Sequence, residues 1–105
     1  MESQLKRGLV EICILAAIRD EDSYGYKIVK DISQYIKVSE STLYPILRRL
    51  EAGGSIKVYS VEHNSRLRKY YSITSKGLEK IEKFKEDWLT IEKAYQFIVR
   101  GKIDE

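Results

Sequence analysis

The stretch that follows Thr74 and Ser75 constrains the fold most. From there to about Val99 the chain has no proline, and Ile81, Phe84, Trp88, Ile91, Tyr95 and Ile98 recur alternately three and four residues apart. That spacing predicts one long helix with a heptad seam, which either Thr74 or Ser75 can cap. A helix of about 25 residues reaches close to 40 Å at 1.5 Å per residue, further than the roughly 75 residues before it can cover. Much of the seam therefore needs another surface, and the nearest identical one belongs to a second copy of the chain.

A dimer also suits the chain's size. Its 105 residues are read as a single domain spanning 1–105, with residues 1–74 as the body and 75–100 as the long helix, and a domain this small buries a modest core. A hydrophobic fraction of 43%, one proline and six glycines argue against a disordered chain. No apolar run reaches the roughly 18 residues needed to span a bilayer, and Met1 to Leu5 lead into a charged segment without a signal pattern. The chain is therefore read as cytoplasmic, with no membrane partner. Cys13 is the sole cysteine and His63 the sole histidine, too few for a disulfide framework or a structural zinc site, so no metal or cofactor is expected. Cys13 lies in an apolar run, where a thiol reads as a small hydrophobe rather than a redox sensor.

Three shorter helices are predicted in the body. Leu9 to Ile18 contains only Glu11 as a polar residue, which predicts a helix apolar on nearly all sides. Ser23 can cap a second helix whose Ile28, Val29 and Ile32 share one face. Ser39 or Ser41 can cap a third, with Leu43, Ile46, Leu47 and Leu50 as its buried stripe and Gly53 and Gly54 as its stop. Pro45 fits that helix if it starts near Ser41, because first-turn amides lack intrahelical partners anyway. Ile56 to Glu62 and Leu67 to Ile73, rich in Val, Ile and Tyr, flank His63, Asn64, Ser65 and Arg66 and read as a hairpin, with Asn64 best able to take a positive φ.

The fold class expected is therefore mainly α with a small β-hairpin: a winged helix-turn-helix plus a long C-terminal dimerisation helix. In that architecture the third helix enters the DNA major groove and the hairpin reaches the backbone or minor groove. The overall net charge of +3 says little, but its placement says more, since Lys57, Arg66, Arg68 and Lys69 on the hairpin face Glu62 alone. With its apolar stripe set aside, the third helix offers Ser39, Glu40, Ser41, Thr42, Tyr44 and Arg48, whose hydroxyls, phenol and guanidinium can bond phosphates and base edges. Tyr24, Tyr26 and Lys27 at the start of the second helix are further phosphate contacts, whereas Tyr59, Tyr70 and Tyr71 fit hairpin packing. The bland alternative is that these cations form only a solvated face.

Three segments carry a family resemblance over nearly the whole chain: Tyr24-Gly25-Tyr26-Lys27-Ile28, then Ser41-Thr42-Leu43-Tyr44-Pro45-Ile46-Leu47-Arg48-Arg49-Leu50-Glu51, then Arg68-Lys69-Tyr70-Tyr71-Ser72-Ile73-Thr74 with Gly77. In these the chain resembles the PadR-like transcriptional regulators, in particular their short members. The resemblance implies a winged-helix dimer that usually represses transcription, held on double-stranded operator DNA by its third helix and wing. Thr42, Tyr44 and Arg48 match the DNA-facing helix positions of the family, and Arg68, Lys69 and Tyr70 its wing. The first and last helices would form the homodimer, here through Leu5, Leu9, Ile12, Ile81, Phe84, Trp88, Ile91, Tyr95 and Ile98. The chain departs from the family at the wing tip, where Asn64, Ser65, Arg66 and Leu67 replace the usual glycines and Arg-Pro step.

Trp88 sits mid-seam, so a two-fold axis near it would bring two indoles together, and two rings can sandwich a flat guest. Trp88 is similar to the tryptophan with which one type of PadR-like regulator, controlling multidrug efflux, stacks on planar drugs at the dimer centre. That similarity implies a planar aromatic effector lined by Ile12, Ala16, Trp88, Ile91 and Glu92; plain interface packing of Trp88 is the alternative. An enzyme is not expected, since the chain has neither a nucleophile elbow nor a phosphate-binding glycine loop. A winged-helix module for protein contacts is the other rival, and it calls for an apolar third-helix face or a neutral wing.

Overall fold

The computed structural model describes residues 3–102, so what was read from Met1 and Glu2 lies outside the described residues. The elements are α1 (Gln4–Ala17), β1 (Ser23–Tyr24), α2 (Gly25–Ile32), α3 (Glu40–Ala52), β2 (Ile56–His63), β3 (Arg66–Ile73) and α4 (Ser75–Arg100). The fold is mainly helical, with one three-stranded antiparallel sheet in the order β1-β3-β2.

Helix α1 starts more than a turn ahead of the apolar run that announces it, because the Ser3 hydroxyl accepts from the Lys6 amide at 3.3 Å and caps the polar residues before Leu9. It is covered along one stripe rather than all round. Val10, Ile14 and Leu15 are buried, Leu9 and Ile12 half-buried, and Leu5 and Ala16 exposed. The buried stripe meets Ile28 and Ile32 of α2, Leu43, Ile46, Leu47 and Leu50 of α3, and Ile56 and Tyr71 of the sheet in one core.

Ser23 does not cap α2. It lies in β1, paired with Tyr71 of β3, while Tyr24 pairs with Tyr70. The extended backbone turns the Ser23 side chain into the core, where it finds no hydrogen-bond partner among the described residues, and α2 begins after Tyr24 with no side-chain cap among them. The expected hairpin is thus two strands of a three-stranded sheet.

Helix α3 takes Ser39 as its cap; the Ser39 hydroxyl accepts from the Thr42 amide at 3.3 Å. This puts Pro45 in the second turn, not the first, so the Ser41 carbonyl lacks the ladder donor that another residue at 45 would supply. The helix continues regardless and stops as expected at the glycines. The Ser55 amide reaches the Leu50 carbonyl and the Gly54 amide that of Glu51, with Gly54 at φ 81°, the left-handed conformation of a Schellman stop.

Strands β2 and β3 pair from Ile56↔Ile73 to His63↔Arg66. The loop is therefore only Asn64 and Ser65, at φ 51° and 64°, the two positive values that a type I′ turn requires. Each strand is a residue longer than the sequence suggests, and the wing is a tight hairpin despite lacking glycine at its tip.

The Thr74 hydroxyl caps α4 by accepting from the Gly77 amide at 3.2 Å, and it donates to the Gly54 carbonyl at 2.7 Å. Ile81 is 5% exposed and belongs to the chain's own core, which removes it from the set free to meet a partner. Beyond it Phe84 is half-buried, and Trp88, Ile91, Tyr95 and Ile98 are exposed. With 26 residues, α4 gives the chain its 66 Å long axis against 27 and 21 Å across.

Candidate nucleic-acid interface

Alternation along β3 sends Arg68, Tyr70 and Ser72 to one face of the sheet and Lys69, Tyr71 and Ile73 to the other. Tyr71 packs in the core; its burial pushes the phenol above its ordinary pKa, with Tyr44 and Glu51 adding to the shift and Arg48 opposing it. On the opposite face an aromatic row forms. Tyr59 stacks on its cross-strand partner Tyr70 at 5.8 Å between centroids, Tyr70 meets Tyr24 edge-on at 5.5 Å, and the Arg68 guanidinium lies 4.1 Å over the Tyr24 ring.

Where β1 gives way to α2, this row borders a concavity of about 530 Å³ lined by Tyr24, Gly25, Tyr26, Tyr44, Arg68, Lys69 and Tyr71. The lining joins residues from the start of α2, the outer face of α3 and the wing. Gly25 makes the junction fit, because a Cβ on it would stand 2.5 Å from the Tyr44 hydroxyl oxygen. Phenols, a guanidinium and an ammonium around an open hollow can take an anion such as a phosphate.

The structure brings Tyr24, Tyr26, Tyr44, Arg68 and Lys69 together there. Thr42 and Arg48 are exposed on α3, and Arg48 makes no ion pair among the described residues. Arg66 is exposed at the wing tip. The other candidates are already engaged within the chain. Ser39 spends its hydroxyl on the cap and on Thr42 Oγ1 at 3.1 Å, with Ser41 Oγ 3.0 Å away, so these hydroxyls are bonded to one another. Tyr70 is half-buried between two rings and supports the wing instead of reaching out from it. Lys27 pairs with Asp31 at 3.4 Å, an exposed (i, i+4) contact that a phosphate can displace.

Sequence reasoning missed Asp22, whose carboxylate accepts from the Tyr59 hydroxyl at 2.5 Å. That bond keeps Tyr59 protonated to a higher pH than usual. Only the pairing of β1 with β3 brings the two residues near each other, and a strand of two residues has no periodicity to detect. Of the expected effector residues, Trp88 is 47% exposed beside Phe84 at 6.4 Å, Ile91 is 41% exposed, and Ala16 and Glu92 are also open. Ile12 instead packs against the edge of the core. Among the described residues no helix is long and apolar enough to cross a membrane, and no cluster of metal-ligating side chains occurs.

A helix-turn-helix pair, α2 and α3, followed by a β-hairpin on the same side defines a winged helix-turn-helix protein. Comparison with known proteins narrows the class. Residues 14–83 match the transcriptional regulator PadR-like family. A solved transcriptional regulator from Clostridium thermocellum superposes with a TM-score of 0.84 at 35% identity, covering 93% of this chain and all of that one. A PadR family transcription regulator from Clostridium difficile superposes at 0.76 with 32% identity, over 85% and 97% of the two chains. A transcriptional regulator of Mycobacterium tuberculosis is 32% identical over 75 residues, 70% of either chain. The chain belongs to the PadR-like family of transcriptional regulators.

Proposed function

We propose that the protein is a sequence-specific DNA-binding regulator that works in the cytoplasm as a homodimer and represses transcription from its operator. The observation that carries this reading is the shared concavity, where Tyr44 of α3 meets Tyr24, Tyr26, Arg68 and Lys69. In this reading Thr42 and Arg48 address the major groove, while Tyr44, Arg66, Arg68, Lys69 and the start of α2 hold phosphates. Residues up to 74 form the DNA-binding part and 75–100 the dimerisation helix. Exposed Leu5 on α1 and Trp88, Ile91, Tyr95 and Ile98 on α4 support that division, since a partner would cover them. A planar aromatic effector held against Trp88, with Ile91 and Glu92 beside it, is the signal that releases the operator.

The test is the variant Arg48→Ala/Arg68→Ala, titrated over a range of salt against a DNA fragment selected from a random pool by the wild-type protein. Binding should weaken, and the slope of log affinity against log salt should flatten by about 0.9 for each phosphate contact removed. Unchanged affinity and slope, with the dimer intact, would sink the reading.

A further inference from the structure

The wing's aromatic row does not end at Arg68 and Tyr24. It continues through Tyr70 to Tyr59 and closes on Asp22, the residue just before β1. We infer that Asp22 and Tyr59 are positioning residues for DNA binding: their hydrogen bond holds the stack of rings that presents the Arg68 guanidinium to the nucleic-acid backbone. The inference rests on the DNA-binding reading above and deepens it by naming residues that act without touching DNA.

The geometry supports this in three ways. First, the row crosses all three strands, since Tyr24 is in β1, Tyr59 in β2, and Arg68 and Tyr70 in β3. The Asp22–Tyr59 bond spans 37 positions of sequence and joins the outer strand of the wing to the segment that leads into α2. Second, every link is at contact distance: 2.5 Å for the hydrogen bond, 5.8 Å and 5.5 Å between ring centroids, and 4.1 Å from guanidinium to ring. Third, the row lies on the sheet face away from the core, which Val58, Tyr71 and Ile73 pack on the other side. Its rings are therefore not needed to fill the interior.

A long arginine side chain on a wing normally samples many rotamers, and a phosphate that captures it must order it. Over the Tyr24 ring Arg68 is already placed at the rim of the concavity it shares with Tyr26, Tyr44 and Lys69. The ring can hold it only while Tyr70 and Tyr59 hold the ring. Tyr59 itself is exposed, so its orientation depends on the carboxylate of Asp22.

The decisive variant is Tyr59→Phe, which deletes one hydroxyl and keeps the stacking ring. Against the selected DNA fragment it should weaken binding about threefold to tenfold, the factor expected from freeing one ordered side chain. Asp22→Ala should weaken it alike, and Asp22→Asn, which keeps an oxygen to accept the bond, should restore it. In a double-mutant cycle Tyr59→Phe should cost nothing further once Arg68 is alanine, yet add its full factor to Arg48→Ala. A merely structural hydroxyl would add to both backgrounds alike, and that result would overturn the inference, as would Tyr59→Phe binding like wild type while Arg68→Ala binds weakly. If Arg68→Ala itself binds like wild type, the role of the wing in DNA binding fails and the inference with it.

Discussion

Gly25→Ala separates binding from folding. The added Cβ would stand 2.5 Å from Tyr44 Oη, 3.0 Å from Cζ and 3.1 Å from Cε1, and so something must move. The backbone at Gly25 cannot, because Tyr24 before it is paired with Tyr70 and α2 begins at Gly25 itself. The phenol can, since Tyr44 is only partly covered and turns about two side-chain torsions. Leaving its rotamer costs about 0.5–1.5 kcal/mol, and alanine in place of glycine in a helix recovers about 0.5–1 kcal/mol, so net stability should change by no more than about 1 kcal/mol. That is a shift of at most about 8 °C in Tm for a domain of this size.

Binding should suffer more than stability. With its hydroxyl driven out of the concavity, Tyr44 loses its hydrogen bond to a phosphate, worth about 1.5–3 kcal/mol when one partner is charged. Operator affinity should then fall about tenfold to a hundredfold. Fluorescence anisotropy with the selected fragment measures the loss, and thermal unfolding by circular dichroism checks the fold. Tyr44→Phe should lose a similar factor, and combining the two changes should lose no more than either alone. Wild-type affinity in Gly25→Ala, or a loss that simply adds to that of Tyr44→Phe, would refute the coupling between the two residues.

Three further outcomes are expected. Ile91→Asp buries an unpaired carboxylate in the seam and should give a folded monomer by sedimentation, because Ile81 still fastens the root of α4 to the core; a stable dimer would exclude the seam as the interface. Gly77→Ala should destabilise by about 1–3 kcal/mol, since its Cβ would strike the Ser55 carbonyl oxygen and stand 2.7 Å from Ile73 Cγ1, and backbone cannot swing aside as Tyr44 can. Burial pushes the Cys13 thiol above its usual pKa, so its thiolate fraction at neutral pH is lowered and alkylation should run slower than that of a free thiol, rising only as pH climbs through the raised value; fast labelling at pH 7 would contradict this.

What the sequence made legible was whatever repeats. The apolar stripes of α2, α3 and α4 follow helical spacing, the hairpin strands alternate, and Gly53 and Gly54 end α3 where expected. What it hid depends on pairings between distant residues or on a choice among equals. Strand β1 exists because β3 offers it an edge, and nothing in Ser23-Tyr24 alone signals this. Ser39 and Ser41 are equally good caps by type, and moving the start by two residues shifts Pro45 from the first-turn region into the second turn. The seam on α4 is continuous in sequence, yet Ile81 falls on the protomer's own core while Trp88 and Ile91 stay open. Heptad spacing is the same in a core and in an interface, so periodicity cannot mark where one ends and the other begins. The candidate site was half legible for a similar reason. Its cations and phenols stand out by type, whereas the supporting bond from Tyr59 to Asp22 requires the sheet to be assembled.

The root of α4 relates the seam to the DNA-facing surface. Thr74 holds the Gly54 carbonyl just past the end of α3, and Glu11 of α1 accepts from Lys80 of α4 at 3.0 Å while its other oxygen lies 3.5 Å from Arg49 of α3. Three helices are thus fastened at one corner. From Leu78 to Arg100 the long helix has no glycine or proline to act as a hinge. Trp88, about 20 Å along it at 1.5 Å per residue, is therefore a point on a stiff lever whose fulcrum is bonded to α3. In a dimer the two α3 helices must enter major grooves about 34 Å apart, so a small change in the crossing of two such levers misaligns both at once. An effector against Trp88 would need no contact with α3 to release the operator, and by reciprocity bound operator would lower affinity for that effector by the same factor.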